Sequence, residues 1–400
     1  MTIDSTAIVI LLLIAAVVFG WLLAHGGRGG RRDSRFKFFS SEYFKGLNFL
    51  LNEQPDKALE VFIRVAEVDS DTVETHFALG NLFRRRGEVD RAIRIHQNLI
   101  ARPNLTRAHR AQALFELAED YMRAGLLDRA ESILLELLDM PNYTDPALRS
   151  LISLYEQQKD WEQAISMRRR LQAHIGISEE ETISQYFCEL AQTALAGKDM
   201  TLARRFLKRA QSHDPNCVRA NLLLAQMAEA DQEWGRSQRH YKNVLAHEVR
   251  YATEALPALA RVTRQLDGRE TLEATLGELL HVNPKASVYL AIAAILDPEL
   301  DDPVSQACVV DYLRTEPSLR GLYEMFASFA QRNGESEAVD LEPLQVAVRN
   351  LLKNGPRYRC EECGFRSKTL YWQCPSCKTW NRTMPFHEIS FTATGLSSPA

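Results

Sequence analysis

The sequence predicts an all-α protein with a hydrophobic N-terminal helix, a solenoid of paired helices and a small cysteine-rich domain at the C-terminus. Three observations support this. An uncharged apolar run occupies residues 7–24, a small residue recurs about every 34 residues through the middle, and two Cys-x-x-Cys pairs lie near the end of the 400-residue chain. Within residues 38–353, apolar residues recur three and four apart, which is typical of amphipathic helices.

The first element is the apolar run AIVILLLIAAVVFGWLLA. As a helix it would be about 27 Å long, which is just enough for a hydrocarbon core of ~30 Å. The alternative is a cleaved signal peptide, which requires positive charge before the run and a small-residue cleavage site after it. Asp4 is the only charged side chain before the run. We therefore predict an uncleaved transmembrane anchor in residues 1–25.

The second element, residues 26–37, is a basic linker. Four glycines make it flexible, and its basic residues are Arg28, Arg31, Arg32, Arg35 and Lys37. By the positive-inside rule, the N-terminus faces outward and the rest of the chain lies in the cytoplasm. These charges either bind anionic headgroups or only set the topology. A cytoplasmic location would keep the thiols of this protein reduced.

The third element, residues 38–353, is a repeat. A small residue recurs at 34- to 39-residue spacing at Ala58, Ala92, Ala130, Ala164, Ala203 and Ser237. Twelve residues before each of these positions stand Gly46, Gly80, Ala118, Ile152, Ala191 and Ala225. This pattern resembles the tetratricopeptide repeat, a helix-turn-helix unit that must stack to bury its apolar face. We predict about eight or nine repeats, of which the last are degenerate. In these last repeats, Ala260 is expected to pair with Leu272 and Ala293 with Ser305.

Glycine and proline set the helix boundaries of this region. Gly87 and Gly125 predict turns between paired helices, and Pro215, Pro284 and Pro317 predict the ends of second helices. Longer loops are expected near residues 102–106 and 175–182. Such solenoids bind peptides or protein surfaces on the face formed by their first helices. In the second repeat, Asn81 and Arg84 are expected to point toward that face.

The fourth element, residues 354–400, contains two cysteine knuckles. Their thiols belong to Cys360, Cys363, Cys374 and Cys377, with ten residues between the inner two. Four thiolates can reach one tetrahedral ion, and soft sulfur ligands select zinc or iron. Gly364 allows a positive φ after the first pair. The alternatives are disulfides or unligated thiols, and a reduced cytoplasm disfavours disulfides. We predict one iron or zinc ion per chain.

This domain is too short for a large core of its own, so an ion would supply much of its folding free energy. Five aromatic residues flank the cysteines and are expected to pack over the metal or against the last repeat: Tyr358, Phe365, Tyr371, Trp372 and Trp380. A rubredoxin-like redox carrier is the alternative function. Four thiolates leave no open coordination position, and rubredoxins separate their knuckles by more than ten residues, so a structural ion is favoured.

Other function classes find little support. The net charge of −4 does not suggest a nucleic-acid surface, and the arginine clusters at residues 84–86 and 168–170 are interpreted as solvated helix faces. The sequence contains no phosphate-binding loop, nucleophile elbow or His-Glu-x-x-His site. We therefore predict neither an enzyme nor a small-molecule substrate. Cys188 and Cys308 lie in apolar helical patterns and are expected to be buried.

The combination of a single anchor, cytoplasmic tetratricopeptide repeats and a rubredoxin-type Cys-x-x-Cys-Gly / Cys-Pro-x-Cys domain resembles the lipopolysaccharide assembly protein B family of Gram-negative bacteria. The resemblance implies a single-pass adaptor of the inner membrane. It implies that the adaptor restrains lipopolysaccharide synthesis by promoting degradation of the LpxC deacetylase by the protease FtsH, and that it gathers other lipopolysaccharide enzymes. It also implies that the four knuckle cysteines bind iron or zinc. A generic membrane-tethered scaffold or co-chaperone remains the further alternative.

Overall fold

A computed structural model describes residues 54–68, 73–266, 269–332 and 342–387, with a few positions before residue 53. The predicted anchor at residues 7–24, except Val18, and the predicted linker lie outside the described residues. Among the helices that are described, none combines the length and the apolar character needed to cross a membrane. The chain divides into two compact units, Met1–Gln157 and Gln158–Ala400.

Seventeen α-helices are present in the described part of the chain. In chain order, α1 to α9 are Pro55–Val68, Val73–Arg85, Val89–Ile100, Arg107–Ala124, Leu127–Leu137, Thr144–Gln158, Trp161–Ile175, Glu180–Ala196 and Met200–His213. Helices α10 to α17 are Val218–Ala230, Trp234–His247, Ala252–Leu266, Arg269–Val282, Ala286–Leu296, Pro303–Thr315, Arg320–Arg332 and Glu342–Asn354, and a 3₁₀ turn at Val249–Tyr251 precedes α12. The predicted all-α solenoid is confirmed.

In the first unit, the small residues of the repeat lie where two helices touch. Ala92 of α3 is fully buried. A Cβ atom added to Gly80 of α2 would lie 2.4 Å from Nε2 of His96 on α3, closer than carbon and nitrogen can approach. Between the helices, Gly87 and, in the next pair, Gly125 adopt φ values of +80° and +74°. These left-handed turns are ones that glycine adopts without strain. The predicted register is thus confirmed.

Asn81 and Arg84 of α2 link neighbouring first helices. The Arg84 guanidinium forms ion pairs with Glu116 at 2.5 Å and with Asp120 at 2.9 Å, both on α4. The Asn81 side-chain amide donates to Glu116. Asp120 is fully buried and also contacts Nδ1 of His96 at 2.5 Å. Each buried charge here has an opposite charge or a hydrogen bond, as burial requires. These two side chains therefore serve the packing of the repeat.

In the second unit, the same register continues to the last pairs. The small residues of the fifth and sixth repeats are fully buried: Ala191, Ala203, Ala225 and Ser237. The four later partners predicted from the sequence are also buried, with at most 3% of their surface exposed: Ala260, Leu272, Ala293 and Ser305. The three prolines follow the ends of α9, α13 and α15 by two residues, as predicted. A continuous apolar core runs from Val218 to Leu352.

A small antiparallel sheet follows the helices. Its strands are β1 (Tyr358–Cys360), β2 (Arg366–Ser367) and β3 (Thr383–Pro385), in the order β2-β1-β3. In the register, Tyr358 pairs with Ser367 and with Pro385, one on each side. Met384 of β3 belongs to the same apolar core as the late helices. The sheet is therefore packed into the second unit.

Candidate metal centre

The four knuckle thiols converge in the structure. The Sγ atoms of Cys360 and Cys377 are 3.7 Å apart, as are those of Cys363 and Cys374. All four lie within 4.8 Å of one another. Such distances suit the edges of a tetrahedron around one ion with metal–sulfur bonds of about 2.3 Å. Within the described residues, no other group of three or more His, Cys, Asp and Glu side chains could hold a metal ion.

The two knuckles have the same backbone geometry. The amides of Cys360 and Cys374 donate to the carbonyls of Phe365 and Thr379, five residues on. Four residues after the first cysteine of each knuckle, Gly364 and Lys378 donate back to that cysteine's carbonyl. Both adopt left-handed φ values, +76° for Gly364 and +61° for Lys378. The sequence predicted the first of these through its glycine. It gave no signal for the second, because lysine rarely adopts this conformation.

Two of the thiols differ in acidity when no ion is bound. Burial raises the pKa of Cys374 to about 11. Burial also opposes ionisation of Cys377, but hydrogen bonds from the hydroxyl and amide of Thr379 lower the pKa of that thiol to about 6. The Cys377 Sγ and Thr379 Oγ1 atoms are 2.5 Å apart. An ion would bind the thiolate forms, so its binding releases protons.

Two tryptophans attach the knuckle domain to the helices of the second unit. Trp380, only 8% exposed, lies edge-on against Trp161 of α7 and Tyr186 of α8, with centroid distances of 5.8 and 5.5 Å. Trp372 stacks on Tyr251 at 5.8 Å, with 14° between the ring planes. Edge-on and stacked aromatic pairs are both favourable arrangements. The sequence predicted that these rings pack over the metal or against the last repeat, and the structure adds contacts with several earlier repeats.

Polar contacts surround these rings. Arg250 Nη1 lies 2.5 Å from Glu361, and the Asn381 amide donates to Glu181 at 2.7 Å. Tyr251 donates to the carbonyl of Thr383 at 3.3 Å. The Tyr358 hydroxyl donates to Glu254, and burial together with the charge of that carboxylate raises the pKa of Tyr358.

Several of these partners lie on the first helices of successive pairs. Tyr186 and Glu181 are on α8, and Glu254 is on α12. On α10 between them, the Arg219 guanidinium lies 5.7 Å from the centre of the Trp372 ring. The knuckle domain thus covers part of the first-helix face of this unit. Sequence patterns could not predict this, because the partners are up to 200 residues apart.

The cysteines outside the knuckles are buried. Cys188 and Cys308 lie inside the helical core, as predicted. Cys217 is also buried, and its Sγ lies 4.0 Å from that of Cys188. Burial and the neighbouring Cys217 thiol raise the pKa of Cys188 well above its ordinary value. No sequence pattern indicated that these two thiols meet, since they lie on different repeats.

Comparisons with known families agree with this architecture. The family model described as a rubredoxin metal binding domain matches residues 358–382. A tetratricopeptide repeat model matches residues 75–112. The C-terminal cluster is therefore a four-cysteine site that binds a metal ion, and its all-sulfur donor set fits zinc or iron.

Two curated relatives extend over nearly the whole chain. Lipopolysaccharide assembly protein B of Escherichia coli K12 is 32% identical over 381 residues, covering 95% of this chain and 98% of the relative. The protein of the same name from Haemophilus influenzae is 32% identical over 388 residues, covering 94% and 97%. A solved structure of the C-terminal part of a TPR repeat-containing protein from Cytophaga hutchinsonii is 16% identical, with a TM-score of 0.40, and covers 62% of this chain and 99% of that one.

Proposed function

This chain belongs to the lipopolysaccharide assembly protein B family, and we propose that it is an adaptor that promotes degradation of the LpxC deacetylase by the protease FtsH. The observation that carries the proposal is the 32% sequence identity to lipopolysaccharide assembly protein B of Escherichia coli K12. This match extends over 95% of the chain, which includes both the repeats and the metal domain. The chain acts by binding proteins, with its repeats supplying an extended surface. Other lipopolysaccharide enzymes are further partners of the same kind.

The location proposed for this adaptor is the inner membrane. Residues 1–25 form the single span, residues 26–37 the linker, residues 38–353 the repeats and residues 354–400 the metal domain. Everything after the span lies in the cytoplasm. A tether raises the effective concentration of the binding surface near membrane-bound clients. Support comes from the uncharged run and from the basic residues that follow it.

We assign the metal ligands to Cys360, Cys363, Cys374 and Cys377, and we assign the ion a structural role. All four coordination positions of the ion would be occupied by cysteine sulfur, which leaves no position for a substrate. The ion would hold the two knuckles together, and the knuckles carry Trp380 and Glu361 to their partners on the helices. In this way the ion would maintain a composite surface made of the metal domain and the repeats.

The proposal is tested by following LpxC after protein synthesis is stopped, in cells that lack their own copy of the adaptor. Full-length chain should shorten the LpxC half-life, and FtsH and LpxC should co-purify with it from detergent-solubilised membranes. A chain without residues 1–25 and a Cys374→Ser chain should both fail. Cys308→Ser, which alters a buried cysteine outside the cluster, should act like wild type.

The outcomes separate the candidate functions. Normal LpxC turnover without residues 1–25 would contradict the tether. An ion that changes oxidation state during function would support the redox carrier instead. Stable binding to unrelated membrane proteins, with no effect on LpxC, would support a generic scaffold.

A further inference from the structure

Three successive second helices of the second unit concentrate positive charge. Helices α7, α9 and α11 together contain ten Lys and Arg residues and one acidic residue, Glu162. Neither α9 nor α11 contains any Asp or Glu. The whole chain has a net charge of −4, so this distribution is far from the average of the protein.

The basic residues recur in register with the repeat. In each helix, the fifth residue after the buried small residue is basic. These three residues are Arg169, Lys208 and Lys242. Five residues correspond to a rotation of roughly 140° beyond one full turn, so these residues lie on a different side of each helix from the buried small residue. Arg169 and Lys208 are exposed, and Lys242 is half-buried. In α7 and α9 the next residue, Arg170 or Arg209, is basic as well.

Most of these cations have no carboxylate partner. Arg204 pairs with Asp231 at 2.5 Å and Arg236 with Glu233 at 2.7 Å, and Arg168 also has an ion pair. The other seven form no ion pair within 4.0 Å in the part of the chain that the structure describes. We call these seven the cationic ladder: Arg169, Arg170, Arg205, Lys208, Arg209, Arg239 and Lys242. Of these, Arg169 contacts Nε2 of His213 at 3.3 Å, and the other nitrogen of that ring contacts Glu180. Like charges on successive second helices repel one another, so an external anion would stabilise the surface.

An open depression between α7 and α9 collects part of the ladder. Arg169, Arg170 and Arg209 line it together with the ring of Phe187 and the carboxylate of Glu162, so positive groups outnumber negative ones three to one. The Arg209 guanidinium lies over that ring, 4.4 Å from its centre, which fixes the side chain in place. Guanidinium groups bind phosphate oxygens in pairs. The depression therefore suits a phosphate group presented from outside.

We propose that the cationic ladder binds anionic phospholipid headgroups at the surface of the bilayer, an inference that rests on the membrane tether proposed above. A protein interface normally has an apolar and aromatic centre. Among the large apolar residues of these three helices, only Met200 is exposed, at 49%. A broad basic surface without an apolar centre fits a charged lipid surface better than an acidic protein. The ladder would hold the second unit against the membrane and fix how the repeats face their clients.

The test uses the full-length chain in nanodiscs of phosphatidylcholine alone or mixed equally with phosphatidylglycerol. A genetically encoded fluorescent amino acid replaces Ser166, an exposed residue beside the ladder, and a fraction of the lipids carries a nitroxide on the headgroup. We expect at least twofold stronger quenching in the anionic nanodiscs. High salt should remove the difference, because screening weakens headgroup attraction.

The matched variants change three charges each. Arg169→Gln with Lys208→Gln and Lys242→Gln should abolish the extra quenching. The control replaces three exposed arginines of the first unit, Arg94, Arg123 and Arg129, by Gln, and should leave the quenching unchanged.

Equal quenching in both lipids, or full quenching by the ladder variant, would overturn the proposal. The ladder variant can also be placed in the cellular assay of LpxC turnover described above. Loss of turnover there, combined with normal quenching in the nanodiscs, would point to an acidic protein partner and would also overturn the proposal. Failure of the chain to stay with the nanodisc would instead refute the membrane tether. Because the nanodisc assay contains no lipopolysaccharide enzyme, its result does not depend on the proposed role in LpxC degradation.

Discussion

The indole of Trp380 meets the phenol ring of Tyr186 edge-on, with 5.5 Å between the ring centroids and 87° between the planes. The first residue belongs to the metal domain and the second to a repeat helix far earlier in the chain. Beside them, Asn381 bonds to Glu181 across 200 residues of sequence. Met384 extends the contact into the core of the late repeats. The metal domain and these repeats therefore share one packed interior, so unfolding of the metal domain should destabilise these repeats.

Trp380→Ala should detach the metal domain from the helices. Removing a buried aromatic side chain costs about 3–5 kcal/mol, and here the cost falls on the contact with Trp161 and Tyr186. Hydrogen exchange should increase in residues 358–387 while the ion stays bound. Tyr371→Ala is the control, since that ring is 41% exposed in the same domain. Equal exchange in both variants would show that the indole does not hold the domain.

Gly80→Ala should destabilise the first unit. The new methyl group would lie 2.4 Å from the fully buried His96, and overpacking of this kind costs about 1–3 kcal/mol. Gly277→Ala is the matched control, because an added Cβ there has no neighbour within 4 Å. In a helix interior, that change should stabilise by about 0.5–1 kcal/mol. Chemical unfolding of both variants would check the opposite signs, and two changes of the same sign would contradict the assigned helix contact.

The repeat could be predicted from sequence because its signals are local. Spacing fixes which small residues must lie between paired helices, and a glycine or proline shows where each helix ends. Gly80 illustrates this, since the close approach of His96 permits no side chain there. The cysteine cluster could be predicted for a similar reason: each knuckle is a short motif with a fixed backbone geometry.

Contacts between distant segments could not be predicted. The rings of Trp372 and Trp380 carried no information about Tyr251 or Tyr186, because any buried aromatic could have received them. The arginines at residues 168–170 were interpreted as a solvated face. Arg169 shares its repeat position with Lys208 and Lys242, which is already present in the sequence. Only the folded arrangement shows which of these cations form ion pairs. The positive φ of Lys378 could not be predicted either, because non-glycine residues rarely adopt this conformation.

His387 should make the protein less stable in mild acid. Burial, with a further contribution from the nearby Arg357 charge, lowers the pKa of this imidazole to about 4. An unfolded chain would bind the proton near pH 6.5, so the unfolded state takes up more protons between pH 6.5 and 4 and stability falls as the pH falls. The loss should reach about 1 kcal/mol at pH 5.5. Urea unfolding at pH 7 and 5.5 should show a smaller loss for His387→Gln, and an identical loss would exclude this residue as the cause.

Cys374→Ser should release the ion and loosen the metal domain. Cys374 is fully buried and 3.7 Å from Cys363, so a hydroxyl there replaces a soft ligand with a poor one. Elemental analysis should fall from one zinc or iron per chain toward zero. Because folding and ion binding are coupled, hydrogen exchange should increase in residues 358–387 and, through Met384, in the helices that share its core. Helices α2 to α5 of the first unit should be unchanged. Cys308→Ser should keep the ion, and an equal loss from that variant, or an ion retained by Cys374→Ser, would refute the assigned ligands.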